Sequence, residues 1–337
     1  EREAQTSELG QFIEAAKRGK SWYGWRMLHD AQGQEYLSLG ERVFPFPQGS
    51  DLLNPEKRIQ TRIAEQGIDV EALIVIGYMW NYHLEPKEGV AFCREVNQEL
   101  ADVQKAYPQH YRGLAILPMQ EPATAVKEME HAVKDMGLES FAIAASVNGR
   151  NLDDPTVLPI LEAAAAANVS LTVHGPLWGR AGEERFPRYY FSNSFGAPLE
   201  SSLAVMSVIY SGLLDRYPDL RICFTHGGGW VPYGMGRFAL RYQQREDARP
   251  MAASPETYLG KMYYDCLIHD SESLKLLVSR VGADRIVIGT DYPAGGDIPG
   301  GAANWIRQQP FLSGEDKEKI LWRNVARFLG LPAAASG

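Results

Sequence analysis

Val169-Ser170-Leu171-Thr172-Val173-His174-Gly175-Pro176 and Arg221-Ile222-Cys223-Phe224-Thr225-His226-Gly227-Gly228-Gly229 decide the fold. Each is a short, nearly continuous apolar run that ends in an imidazole and then breaks on glycine. A strand that is apolar on both faces belongs to a parallel sheet covered on both sides. Five more runs share the pattern, at 70–77, 112–118, 141–145, 285–290 and, more weakly, 262–265. Helical patterns separate them, at 86–106, 121–136, 155–167, 200–216, 271–281 and 315–329. Another opens at Asn54-Pro55-Glu56, a cap residue followed by proline at the first helical position. Such repeated alternation means βαβ units. Seven strands are one unit short of a (β/α)8 barrel, and the missing unit would precede residue 54. Residues 9–19 read as helical with no apolar strand before them. Residues 20–53 are rich in glycine, aromatics and charge and too long for an ordinary connection. They are expected to be an irregular excursion over the barrel mouth. The expectation is therefore one α/β domain over 1–337, a (β/α)8 TIM-like barrel whose first strand is upstream of, or missing from, the displayed chain.

Composition agrees. The chain has 337 residues, 45% hydrophobic and 23% charged, which suits a soluble globular protein with a sizeable core. Barrels of this class commonly reach about 250 residues or more as one unit. With 34 basic and 42 acidic side chains the net charge is −8, which argues against a nucleic-acid or anionic-membrane binder. No run approaches a membrane span. Cys93, Cys223 and Cys266 lie far apart and form no CxxC. That pattern suits buried thiols in a reducing cytoplasm better than a disulfide framework or a cysteine zinc site.

Barrel active sites lie at the C-terminal ends of the strands. Three strands end in candidates there: His174, His226 and Asp291, the last in Ile288-Gly289-Thr290-Asp291-Tyr292-Pro293. Two imidazoles and a carboxylate at one mouth suit a divalent metal such as zinc. A metal with an open position lowers the pKa of bound water to about 7 and polarises oxygens. The glycines after His226 let the backbone turn sharply and approach a ligand. His83 follows the first visible strand, and Trp178 follows His174 by four residues; both are candidate substrate contacts. His269 reads as structural, and His110 and His131 as solvated. Arg237 and Arg241 lie four apart and would share a helical face, for carboxylate capture or as a solvated face. Arg180, Arg185 and Arg188 in the connection after His174 admit the same two readings.

Together, His174-Gly175-Pro176, His226-Gly227-Gly228-Gly229, Tyr233 with Gly236-Arg237, and Gly289-Thr290-Asp291-Tyr292-Pro293 resemble the amidohydrolase superfamily. More narrowly, they resemble its amidohydrolase-related branch, which contains aminocarboxymuconate-semialdehyde decarboxylase. The stretches 148–155, 184–190 and 323–331 match that branch too, and the resemblance covers roughly residues 54–331. It implies a (β/α)8 barrel with one divalent metal, usually zinc, with manganese as the alternative. It implies that His174 and Asp291 bind the metal, with His226 as general acid/base beside it. Arg237 matches an arginine that reaches a neighbouring subunit's substrate carboxylate, which implies a homodimer. A single metal has separate support. Two-metal sites need a bridging ligand, often on the fourth strand, and Phe141-Ala142-Ile143-Ala144-Ala145-Ser146 offers none.

Two departures stand out. The family's first strand ends in His-x-His or Glu-x-His, and no such motif occurs in the first 60 residues. That absence, the missing first strand and the missing initiator Met share one reading: Glu1 is not the natural start. The alternatives are a variant with three ligands or a degenerate barrel. Second, Asn193 stands where the decarboxylase has a tryptophan, which argues against aminocarboxymuconate semialdehyde itself. The expected activity is a metal-dependent, non-oxidative decarboxylation of a small carboxylated aromatic or muconate-like substrate. Hydrolysis of an amide, ester or lactone by the same centre is the alternative, and a non-catalytic binding barrel is the third reading.

Overall fold

The computed structural model describes residues 10–46, 54–63, 67–75, 77, 79–176, 178–292, 298 and 300–331. Ile76 of the first visible strand, residues 47–53 of the expected excursion, and Pro293 lie outside them.

The expected irregular excursion is a correction. After the helix Gly10–Lys17, residues 25–45 form a three-stranded antiparallel sheet, β1 (Trp25–His29), β2 (Glu35–Leu39) and β3 (Arg42–Pro45). The strands are short, and the face opposite Trp25 and Leu37 mixes polar and apolar residues, Arg26, Leu28, Tyr36, Ser38, Val43 and Pro45, so no apolar run betrays them. The turn chemistry makes the sheet: Asp30 Oδ1 accepts the Gln32 and Gln34 amides at 2.9 Å, and Gly33 and Gly40 take positive φ. One face carries the fully buried Trp25 and Leu37.

The main sheet is parallel. It holds β4 (Glu71–Leu73), β5 (Tyr111–Gly113), β6 (Ser140–Ala144), β9 (Ser170–His174), β10 (Arg221–Phe224), β11 (Tyr263–Asp265) and β12 (Ile286–Val287). The last five form one sheet in the order β12-β11-β10-β9-β6, and β4 pairs with β5. A parallel bridge between Ala115 and Phe141 joins the two parts. Spatial order thus follows chain order, the arrangement of a barrel. All five residues of β6 are buried, as a strand covered on both faces requires. Between β6 and β9 a small hairpin, β7 (Ser146–Val147) and β8 (Arg150–Asn151), turns on Asn148-Gly149, both at positive φ. Asn-Gly is the preferred dipeptide for such a turn.

Helices cover the outside. Pro86–Ala106, Pro122–Met136, Leu158–Ala166, Ala197–Tyr210 and Ser271–Val281 fall where the periodicity places them, within a few residues. Gly137, at φ 69°, ends the second and returns the chain to β6. Asp270 caps the last by accepting the Ser273 amide. Helices at Val231–Gln244 and Ala302–Gln308 complete the cover. No parallel strand stands between β12 and β4 among the described residues. Near that seam, Arg58 and Arg62 both reach the Glu71 carboxylate, at 2.7 and 3.4 Å. The Arg62 guanidinium also lies 3.5 Å over the Tyr292 ring. No helix is long and apolar enough to cross a membrane among the described residues.

Candidate metal centre and its adjoining cavity

His174 is the last residue of β9, and its Nδ1 lies 2.7 Å from the Gly175 carbonyl. A carbonyl only accepts, so Nδ1 carries the proton and Nε2 presents a lone pair. That Nε2 lies 3.8 Å from Asp291 Oδ1. His226 enters from the end of β10, its ring centroid 5.0 Å from that of His174. One ligand atom from each of His174, His226 and Asp291 falls within 4.8 Å of the others, the one such cluster among the described residues.

His226 Nδ1 faces two hydroxyls, Thr225 Oγ1 at 3.3 Å and Ser201 Oγ at 3.4 Å. Thr225 already donates to the Val173 carbonyl at 3.1 Å. Toward His226 it can only accept, which favours the proton on Nδ1 and a lone pair on Nε2. Burial, then the charge of His174, pushes the His226 pKa down to about 3, so the ring stays neutral. Burial pushes the Asp291 carboxyl up, but the neighbouring His174, then His226 and His269, outweigh this and hold it below the usual range. A neutral His226 imidazole and an ionised carboxylate suit a divalent cation.

The turn after β10 positions His226. His226 itself has φ 56°, and Gly227 to Gly229 are all at positive φ. The glycines approach protein, where the sequence suggests a ligand. A Cβ on Gly227 would meet Ile268 at 2.6 Å, one on Gly228 the Tyr264 ring at 2.7 Å, and one on Gly229 the Pro198 carbonyl at 2.0 Å. Asp265, at the end of β11, pins the turn by accepting the Gly227 amide at 2.9 Å and the Leu267 amide at 3.1 Å. Its burial raises the carboxyl to about 6 despite these bonds.

His83 and Trp178 are not members of the cluster; both line a cavity between the ends of β4, β6 and β9. The cavity holds about 130 Å³, with Trp80, Tyr82, Ser146 and Pro176 also in its walls. Its floor includes Ala144, which is in register with His174 across the β6–β9 pair. The β1–β3 sheet packs against the Trp178 wall: Phe44 stacks on Trp178 at 5.5 Å, and the Arg42 guanidinium lies 5.3 Å from the Trp178 ring centroid. Burial and then Arg42 lower the His83 pKa.

Arg237 lies apart from this site, exposed on the helix Val231–Gln244 one turn beyond Tyr233. Arg241, on the same helix, pairs with Gln244. Arg185 and Arg188 are exposed, whereas Arg180 is only 4% exposed and donates from Nε to the Pro176 carbonyl. Sequence reasoning missed the influence of His269, whose charge acts on both His226 and Asp291. It also missed Asp265, which stands at a strand end like the residues it did select. Ser201, Trp80 and Asn81 had no signal of their own.

The amidohydrolase family model matches residues 80–331. A 2-amino-3-carboxymuconate-6-semialdehyde decarboxylase from Dictyostelium discoideum is 33% identical over 286 residues, covering 84% of this chain and 78% of that one. Among solved structures, Metarhizium anisopliae IDCase in apo form superposes with a TM-score of 0.81 at 20% identity, covering 97% of this chain and 95% of that one. A dihydroxybenzoic acid decarboxylase from Polaromonas, solved with bound manganese and the inhibitor 2-nitroresorcinol, gives 0.74 at 24% identity, covering 84% and 88%. These likenesses identify the seven-stranded sheet as part of a TIM-type barrel.

Proposed function

Because the chain belongs to the amidohydrolase family, we propose that it is a mononuclear metal-dependent decarboxylase of a small aromatic or muconate-like carboxylate. The observation that carries this reading is the convergence of His174, His226 and Asp291 within 4.8 Å beside a ring-sized cavity. The decarboxylase name of the Dictyostelium relative supports the reaction class.

The donor set fits one divalent ion: two imidazoles and an ionised carboxylate within 4.8 Å of one another. His174 Nε2 and Asp291 would hold it. Zinc is the ion proposed, and the manganese in the Polaromonas protein makes manganese the competing choice. When bound, the ion supplies a Lewis acid that orients and polarises the substrate's oxygens. His226, neutral and with its Nε2 lone pair toward the centre, moves the proton that the carbon gains in place of its carboxylate. Trp178 and His83 wall the space for the ring.

The chain acts as one domain, with residues 20–46 walling the mouth, and the proposed compartment is the cytoplasm. The proposed assembly is a homodimer. Tyr233 is 80% exposed, and Tyr189, Tyr190 and Trp230 are also exposed, an aromatic surface that a second copy would cover. Arg237, beside Tyr233, would then reach the partner's substrate carboxylate. Sedimentation of the purified protein as a monomer at micromolar concentration would remove this part.

The decisive test is product analysis on metal-loaded protein with a panel of hydroxybenzoates and dicarboxylates. Carbon dioxide release is expected, with turnover lost and metal retained in His226→Ala. A new acid without carbon dioxide would make the enzyme a hydrolase. Metal loss in His226→Ala would make His226 a ligand.

A further inference from the structure

The turn Trp22-Tyr23-Gly24-Trp25 leads into the β1–β3 sheet and is closed by backbone hydrogen bonds of 2.9 Å in both directions between Trp22 and Trp25. Its first two side chains both donate to one carboxylate. Trp22 Nε1–H donates to Glu95 Oε2 at 2.8 Å, and the Tyr23 hydroxyl donates to Glu95 Oε1 at 2.7 Å. Burial, then the bond to Glu95, raise the Tyr23 pKa, so the phenol keeps the proton it donates. Glu95 lies on the helix Pro86–Ala106, and Phe92, one turn earlier on it, packs against the Trp22 and Tyr23 rings at 5.1 and 5.4 Å. Tyr23 has φ 48°, a conformation that a bulky L-residue keeps only where its surroundings over-determine it.

The sheet requires such an anchor. No β-ladder joins it to the barrel strands among the described residues, so side chains hold it there. The same sheet supports the cavity. Trp25, which closes the anchored turn, donates from Nε1 to Asn81 Oδ1 at 2.9 Å, and its ring lies 5.7 Å from that of Trp178. Phe44, on β3, stacks on Trp178 at 5.5 Å. Trp178 itself belongs to the connection after β9 and lines the cavity. A wall residue of the cavity thus rests on two aromatic side chains of a sheet that is fastened at another point.

We propose that Glu95 is a positioning residue: by binding Trp22 and Tyr23 it docks the β1–β3 sheet on the barrel, and through Trp25 and Phe44 it sets Trp178 as a wall of the cavity. The sheet docks and releases as one unit, because its ladders are internal. Glu95 is neither in the metal cluster nor in the cavity wall, so it acts only through the sheet. The consequence for substrate rests on the reading of the cavity as the pocket of the proposed decarboxylase; the docking does not.

Hydrogen exchange by mass spectrometry, with fluorine NMR of protein carrying 5-fluorotryptophan, tests the proposal without substrate or turnover. Removing two hydrogen bonds to a charged group should favour opening by about tenfold or more. In Glu95→Ala, peptides from residues 25–45 should therefore exchange about tenfold or more faster, while those from β9 and β10 stay within about twofold of the wild type. Glu95→Gln keeps one carbonyl acceptor and should fall between. Tyr23→Phe should speed the exchange by itself, but by less than about twofold when added to Glu95→Ala. The Trp178 resonance, assigned by its loss in Trp178→Phe, should shift or broaden in Glu95→Ala, while that of the exposed Trp322 stays in place. Unchanged exchange in residues 25–45, or equal acceleration in the barrel strands, would overturn the anchor. Faster exchange with an unmoved Trp178 resonance would overturn its link to the cavity. Failure of the decarboxylase reading shows instead as absent carbon dioxide release and leaves both of these readouts intact.

Discussion

Gly229→Ala should be among the most damaging single-methyl additions in this protein. Gly229 has φ 64° and ψ −129°, a conformation that L-residues rarely adopt. Holding alanine there costs about 1–3 kcal/mol. The new Cβ would stand 2.0 Å from the Pro198 carbonyl oxygen and 2.4 Å from Ser202 Oγ. Pro198 lies in the first turn of the helix Ala197–Tyr210, so its carbonyl cannot swing away. Relieving the overlap costs a further 1–3 kcal/mol, roughly. Ser202 Oγ donates to that carbonyl and accepts the Trp230 amide, both at 2.7 Å, and at least one of these bonds is lost. With about 1 kcal/mol for it, the total is roughly 3–7 kcal/mol, against a usual domain stability of about 5–15. The Gly229 amide donates to the His226 carbonyl at 2.9 Å, so relaxation also moves His226 away from His174. The comparison is Gly314→Ala, in the first turn of the helix Gly314–Glu318, where a Cβ meets nothing within 4 Å. The same methyl there should stabilise by about 0.4–1 kcal/mol. Urea denaturation gives both signs, and elemental analysis of the folded protein gives metal content. A Gly229→Ala cost below about 1 kcal/mol with full metal content would refute the reasoning.

Two other predictions concern the core. Burial raises the thiol pKa of Cys93 and Cys223 well above the ordinary value and pushes Cys266 up to about 12, so none forms thiolate at pH 8. Ellman's reagent should therefore find no thiol in the native protein and all three in guanidinium; rapid native reaction would show that the strands open readily. Asn324 is fully buried, and its Nδ2 donates to the Ala283 and Ile286 carbonyls, both at 2.7 Å. Asn324→Ala strands both carbonyls at the start of β12 and should cost roughly 2–5 kcal/mol, measured by urea denaturation, with weaker metal retention because β12 leads to Asp291.

The same residues show what a sequence can carry. All seven apolar runs became parallel strands, because burial on both faces leaves a mark that needs no partner to read. The β1–β3 sheet escaped because half of its face is solvent, and its strands are only four or five residues long. His174, His226 and Asp291 could be selected because strand ends in this architecture converge on one mouth. Trp80 and Asn81 could not, since a cavity wall exists only once the rest of the fold is in place. Arg180 is open between capture and solvation in the sequence, and the structure removes only solvation: it is buried, with Nη2 unpartnered among the described residues.

Asp265 and Asp291 set the limit of the strand-end rule. Both are carboxylates at the C-terminal ends of adjacent strands, and sequence position does not tell them apart. Their hydrogen bonds do. Asp265 spends its oxygen on the backbone of the His226 turn, and burial leaves its carboxyl raised to about 6. Asp291 faces two imidazoles that hold its carboxyl low. One is therefore a brace for the backbone, and the other keeps a charge available to a cation. Replacing each with asparagine, nearly the same shape without the charge, separates these roles. Asp265→Asn keeps an oxygen that accepts both amides, and should retain the metal. Asp291→Asn removes the single anionic donor of the cluster, and should lose most of the metal at neutral pH while remaining folded. Equal metal loss in the two variants, by elemental analysis at matched stability, would mean that Asp265 acts on the cation directly and that hydrogen bonding does not distinguish the two carboxylates.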